Sequence, residues 1–238
     1  MNVALLTLRA LGAPGLVALA YWQGVAHGPF PAVAGALLGL LLFGAAAAKR
    51  DTAIVCFLLA GLAMLALALN LVPGFQRVGL WGASIHTAKA IAGLAAMLMF
   101  PSPLKWNGRV TAVATATLVI VPALAWWLHQ VRWAPPGLHA VAVFALATFF
   151  SSLAEEWFFR RWVQQPLAGV VGQVLALLAA AALFGLAHYP HGPTYMTLAA
   201  LAGLGYGAAF SLSGGSIWAA VALHWMLNVL RVALFGNL

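Results

Sequence analysis

The chain has 238 residues, 65% of them apolar and only 6% charged. A soluble domain would carry roughly a quarter charged residues, so a water-soluble globular protein is excluded and a multi-span membrane protein is indicated. The net charge of +8 is scattered over short loops, a pattern that carries topology information and does not form a nucleic-acid surface.

A membrane span needs about 20 mostly apolar residues, and about nine stretches fit that template. They lie near 3–22, 31–48, 53–72, 79–100, 110–129, 138–164, 169–188, 194–213 and 216–235. The expected fold is therefore all-α, a polytopic transmembrane helical bundle of about 8–9 spans. Turn chemistry separates the spans: Gly28-Pro29-Phe30-Pro31, Pro73-Gly74, Pro101-Ser102-Pro103, Pro135-Pro136-Gly137, Pro166, Pro190-His191-Gly192-Pro193 and Gly214-Gly215. Ala18-Leu19-Ala20 resembles a cleavage site, but no basic stretch precedes it and Arg9 and Pro14 interrupt the apolar run. A retained first helix is expected. The single Cys56 sits in an apolar run and reads as a small buried hydrophobe.

Lys49 and Arg50 follow the second span, Lys105 and Arg109 follow the fourth, and Arg160 and Arg161 lie toward the end of the sixth, whereas the opposite loops carry only Arg77 and Arg132. The positive-inside rule then places the N-terminus and the richer loops in the cytoplasm. Trp22, Trp126, Trp127 and Trp133 fit an interfacial aromatic belt, and His27, His129, His139 and His191 lie near span ends. His86 and Lys89 share a face of the fourth span and read as interhelical or snorkelling groups. Small residues such as Gly203-Leu204-Gly205-Tyr206-Gly207 signal close helix approach.

Two of the three acidic residues, Glu155 and Glu156, lie side by side within the sixth span. An ionisable group at membrane depth costs about 2.5–3.5 kcal/mol and normally has a partner and a task. Glu156 and Arg160 are four apart and can pair, while Glu155 points about 100° away, toward a different task. Phe184 and His188 are four apart on the next span, and so are His224 and Asn228 on the last. A carboxylate, two imidazoles and an amide on three helices can activate water and stabilise an oxyanion. Taken singly, these groups also read as a solvated helix cap, an interfacial histidine and interhelical hydrogen-bonding glue.

The three elements in order, Glu155-Glu156-Trp157-Phe158-Phe159-Arg160, Phe184 to His188 and His224 to Asn228, resemble the CPBP family (CAAX proteases and bacteriocin-processing enzymes, or Abi family). The Ras-converting CAAX endopeptidase of the endoplasmic reticulum is a member. The resemblance covers roughly residues 138–235 and divides the chain into variable N-terminal transmembrane helices, 1–137, and a catalytic core, 138–238. One departure is Arg161, where many members have Gly.

The resemblance implies an intramembrane endopeptidase acting on a membrane-associated protein or peptide. Glu155 would be the general base, with His188 orienting or sharing the water. His224 and Asn228 would hold the scissile carbonyl or its oxyanion, and Glu156, Arg160 and Phe184 would support them. No cofactor is expected; the alternative is a divalent metal such as zinc on Glu155, His188 and His224, although the His-Glu-x-x-His pattern is absent. The expected location is a bacterial inner (plasma) membrane. The Pro166 turn, taken as cytoplasmic, puts the site near the opposite face, which suits C-terminal processing or sorting of exported proteins. A proton- or ion-coupled transporter and a noncatalytic scaffold are the rival readings.

Overall fold

The computed structural model describes the backbone of residues 77–80 and 83–86, and residues 102–188 and 191–236. The spans expected before residue 79, and with them the full span count, lie outside the described residues. Strands β1 (Arg77–Leu80) and β2 (Ala83–His86) pair antiparallel, with Arg77 opposite His86 and Leu80 opposite Ala83. This hairpin stands where the fourth span was expected to begin as a helix. Val78 and Ile85 favour strand, and Gly79, Gly82 and Ser84 weaken helix.

From residue 102 onward, every regular element described is helical: α1 (Gly108–Trp127), α2 (Leu138–Glu156), a π-helical segment (Trp157–Gln164), α3 (Gln165–Val171), α4 (Gln173–Ala187), α5 (Pro193–Leu212) and α6 (Ile217–Phe235). Among the described residues, four helical stretches are long and apolar enough to cross a membrane: Gly108–Trp127, Leu138–Arg161, Pro193–Leu212 and Ile217–Phe235. At 15 residues, α4 is about 22 Å long, shorter than a bilayer core of about 30 Å.

The expected turn at Pro166 is absent. The helical path runs from α2 through the π segment into α3, and the reversal comes at Gly172, whose φ of 84° suits glycine. Pro166 has no N–H to donate, and the widened π path just before it admits the proline without breaking the helix. The widened path before it is visible at Gln165, whose N–H donates to Arg160 O, five residues back. The move of the reversal matters for the site. Glu155 and His188 now lie about 25 Å and about 24 Å of helical rise from Gly172, so the two arms reach the same level.

The other ends are satisfied by specific polar groups. Asn107 caps α1 by accepting from Val110 N at 3.0 Å, and its amide donates to Leu212 O at the end of α5. Ser102 Oγ accepts from Ile217 N at the start of α6, and Ser216 Oγ donates to Pro103 O. These bonds close the orphan groups that helix ends would otherwise leave in a dry environment.

Large apolar side chains such as Val119, Ile120, Val174, Leu175 and Leu178 face outward, and much of the interior is Ala, Gly and aromatic. That distribution suits lipid as solvent, where helices associate by close packing and not by hiding apolar surface. A Cβ on Gly185 would lie 2.7 Å from Met196 O, and one on Gly205 would overlap the Thr117 side chain. The small-residue stripe of α5 is thus where α1, the π segment and α4 approach. Trp126, Trp127 and Trp133 are exposed at and beyond the end of α1, as a belt requires.

Candidate active site

Glu156 ends α2 with no exposed surface, at the centre of a buried polar chain. Arg160 Nε donates to its Oε2 at 2.7 Å, as the four-residue spacing predicts. His224 Nδ1 lies 2.7 Å from its Oε1, so α6 is tied to α2 through one carboxylate. Arg160 Nη1 donates to Gln164 Oε1 at 3.2 Å, and Gln164 Nε2 donates to Gly207 O at 2.9 Å and Ser211 Oγ at 3.0 Å on α5. Glu156, Arg160 and Gln164 thereby form a ladder along the π segment that docks on α5. Gly207 makes the docking possible, because a Cβ there would overlap Leu177 and lie 2.5 Å from Gln164 Oε1.

A buried charge pair is tolerated only when its remaining donors and acceptors are met. Most are met here, and Phe184 lies under the Arg160 guanidinium with its ring centre 5.8 Å from Cζ. Arg160 Nη2 is buried with no hydrogen-bond partner among the described residues.

An aromatic cluster holds the imidazoles. Tyr206 stacks on His224 with ring centres 4.5 Å apart and planes 11° apart. Phe184 meets His224 edge-on at 5.5 Å and lies 4.7 Å from His188. His188 Nδ1–H donates to Phe184 O at 2.8 Å, one of the last-turn carbonyls of α4. In the neutral imidazole that bond places the proton on Nδ1 and the lone pair on Nε2. Beyond it, Tyr195 of α5 lies 5.9 Å from the His188 ring and 5.1 Å from exposed His191.

Asn228 is one turn beyond His224 on α6, and its amide donates to Ser152 Oγ at 3.3 Å. Glu155 is half-buried, next to Glu156 in the last turn of α2. The polar side chains singled out in the sequence therefore belong to one helix cluster. Two members were not foreseen. Tyr206 was read only within a small-residue stripe, and Gln164 was taken for the end of a span. The four-residue repeat from Glu156 through Arg160 to Gln164 was the signal available for the second. Arg161 donates to Gln165 Oε1 at 2.9 Å on the exposed side and stays outside the chain of buried groups.

Among the described residues, no group of three His, Cys, Asp or Glu side chains is arranged to hold a metal ion.

Residues 137–230 match the family model described as type II CAAX prenyl endopeptidase, Rce1-like. No curated protein and no solved structure matches the chain.

Proposed function

Since residues 137–230 belong to the Rce1-like CAAX protease family, and since the apolar helices make the chain an integral membrane protein, we propose that it is an endopeptidase for the C-terminal part of a membrane-associated protein or peptide. The catalytic unit in this reading is 138–238. Glu155 takes a proton from water, and the hydroxide attacks the scissile carbonyl carbon. His224 and Asn228, one helical turn apart, hold the oxygen that becomes the oxyanion. His188, with its Nε2 lone pair, orients the water and relays the proton to the departing amine. No metal takes part in this mechanism.

The observation that carries the reading is the double engagement of Glu156, 2.7 Å from both Arg160 Nε and His224 Nδ1. With both its oxygens occupied, Glu156 is suited to fixing α6 against α2, which leaves the general-base role to Glu155.

The test is cleavage of a fluorescent prenylated peptide by the purified protein in detergent. Glu155→Ala should lower kcat by about 10²–10⁴-fold, the usual contribution of a general base, with folding intact by thermal scan. Cleavage by Glu155→Ala at the wild-type rate would overturn the assignment. Activity that survives exhaustive chelation is expected, and loss restored by zinc would overturn the metal-free mechanism.

A further inference from the structure

Arg231 lies on α6, a helix long and apolar enough to cross a membrane, and the mechanism above assigns this cation no task. It is half-buried, its Nε is buried with no hydrogen-bond partner among the described residues, and its Cζ lies 5.9 Å from the centre of the Phe144 ring on α2. A buried donor left unmet is costly, so Nε calls for an acceptor, and the positive charge favours an anionic one. The sequence holds only three acidic residues, Asp51, Glu155 and Glu156; Asp51 lies outside the described residues, and both oxygens of Glu156 are already engaged.

The position of Arg231 indicates which anion fits. His224, Asn228 and Arg231 are spaced by four and three residues, so they fall on one face of α6. That face meets α2, where Asn228 bonds Ser152 and Arg231 overlies Phe144. From His224 to Arg231 is about 10 Å of helical rise, the distance an extended chain covers in about three residues. We propose that Arg231 binds the terminal carboxylate of the substrate and so sets how far from its C-terminus the substrate is cut. This rests on the endopeptidase reading and adds a specificity residue to it. The guanidinium fork suits a carboxylate, and Phe144 orients it from one face. A lipid phosphate offers the same oxyanion chemistry, but it would not account for the shared face with His224 and Asn228.

The test uses two fluorescent peptides, each a prenylated cysteine followed by three apolar residues, one ending in a free carboxylate and the other in a carboxamide. Wild type should prefer the carboxylate by about ten- to hundredfold in KM, the range of a charge-assisted hydrogen bond. Arg231→Gln should lose that preference, the KM of the carboxylate peptide rising to that of the carboxamide, and Arg231→Lys should keep part of it. Equal use of the two peptides by wild type, or an undiminished preference in Arg231→Gln, would overturn the proposal. So would a preference that follows the phospholipid content of nanodiscs instead of the peptide terminus, which would assign Arg231 to lipid phosphate. Anisotropy with the Glu155→Gln variant reads the same preference without turnover. Selective binding of the carboxylate without cleavage by wild type would therefore count against the endopeptidase reading alone.

Discussion

At the inner end of the site Glu156, Arg160 and Gln164 are buried, and each is bonded to a neighbour on the ladder, with His224 and α5 closing its two ends. At the other end, next to the connection between α4 and α5, His188 is half-buried and donates to Phe184 O, His191 is exposed, and their rings meet each other and Tyr195. Two carboxylates adjacent in sequence divide between these settings. Glu156 is enclosed and doubly engaged, while Glu155 retains partial exposure. A reaction that consumes water needs a base that water can reach and a frame that water does not loosen. The contrast between the ends supplies both, and it predicts that inner substitutions cost stability whereas rim substitutions cost rate.

The largest effect should come from Glu156→Gln. It leaves Arg160 as an uncompensated cation with no exposed surface and weakens the tie to His224. Breaking a buried pair in this way costs about 3–5 kcal/mol. Thermal unfolding in detergent should show a stability loss much larger than that of His191→Ala at the exposed rim. Equal losses would erase the distinction between the two ends.

Gln164→Leu should follow. It removes the acceptor for Arg160 Nη1 and the donor to Gly207 O and Ser211 Oγ, leaving buried polar groups unmet at about 1–3 kcal/mol. Gln164→Glu restores an acceptor for Arg160 and should recover part of the stability. Failure of Gln164→Glu to improve on Gln164→Leu would show that packing, and not the polar ladder, governs this position.

These two positions also show what the sequence made legible. Glu156, Arg160, His224 and Asn228 could be paired from four-residue spacing alone, because side chains four apart on a helix share a face. Gln164 continues that spacing but sits two residues before Pro166, which reads as a helix break when the N–H count alone is considered. The π segment admits the proline without a turn, and nothing in local composition marks an eight-residue π path. It is held in place by contacts to α4 and α5 that are distant in sequence. The bond from Glu156 to His224 spans 68 residues and depends on the antiparallel fit of α2 and α6. Residue types could nominate both groups, but only packing decides that they touch each other.

Tyr206 gives the smallest and most discriminating test of the two ends, because it belongs to the buried wall yet touches a proposed reacting group. Its ring lies flat on His224, which orients the imidazole without a hydrogen bond. An aromatic pair of this kind contributes about 0.5–1.5 kcal/mol beyond burial. Tyr206→Phe keeps the ring and should leave kcat near wild type. Tyr206→Leu keeps apolar bulk but frees the imidazole, and should lower kcat by up to about tenfold with little change in KM. If the Phe and Leu variants lose rate equally, the hydroxyl and not the stack is the active feature. Tyr206 would then join the polar chain of Glu156 instead of the aromatic frame around His224.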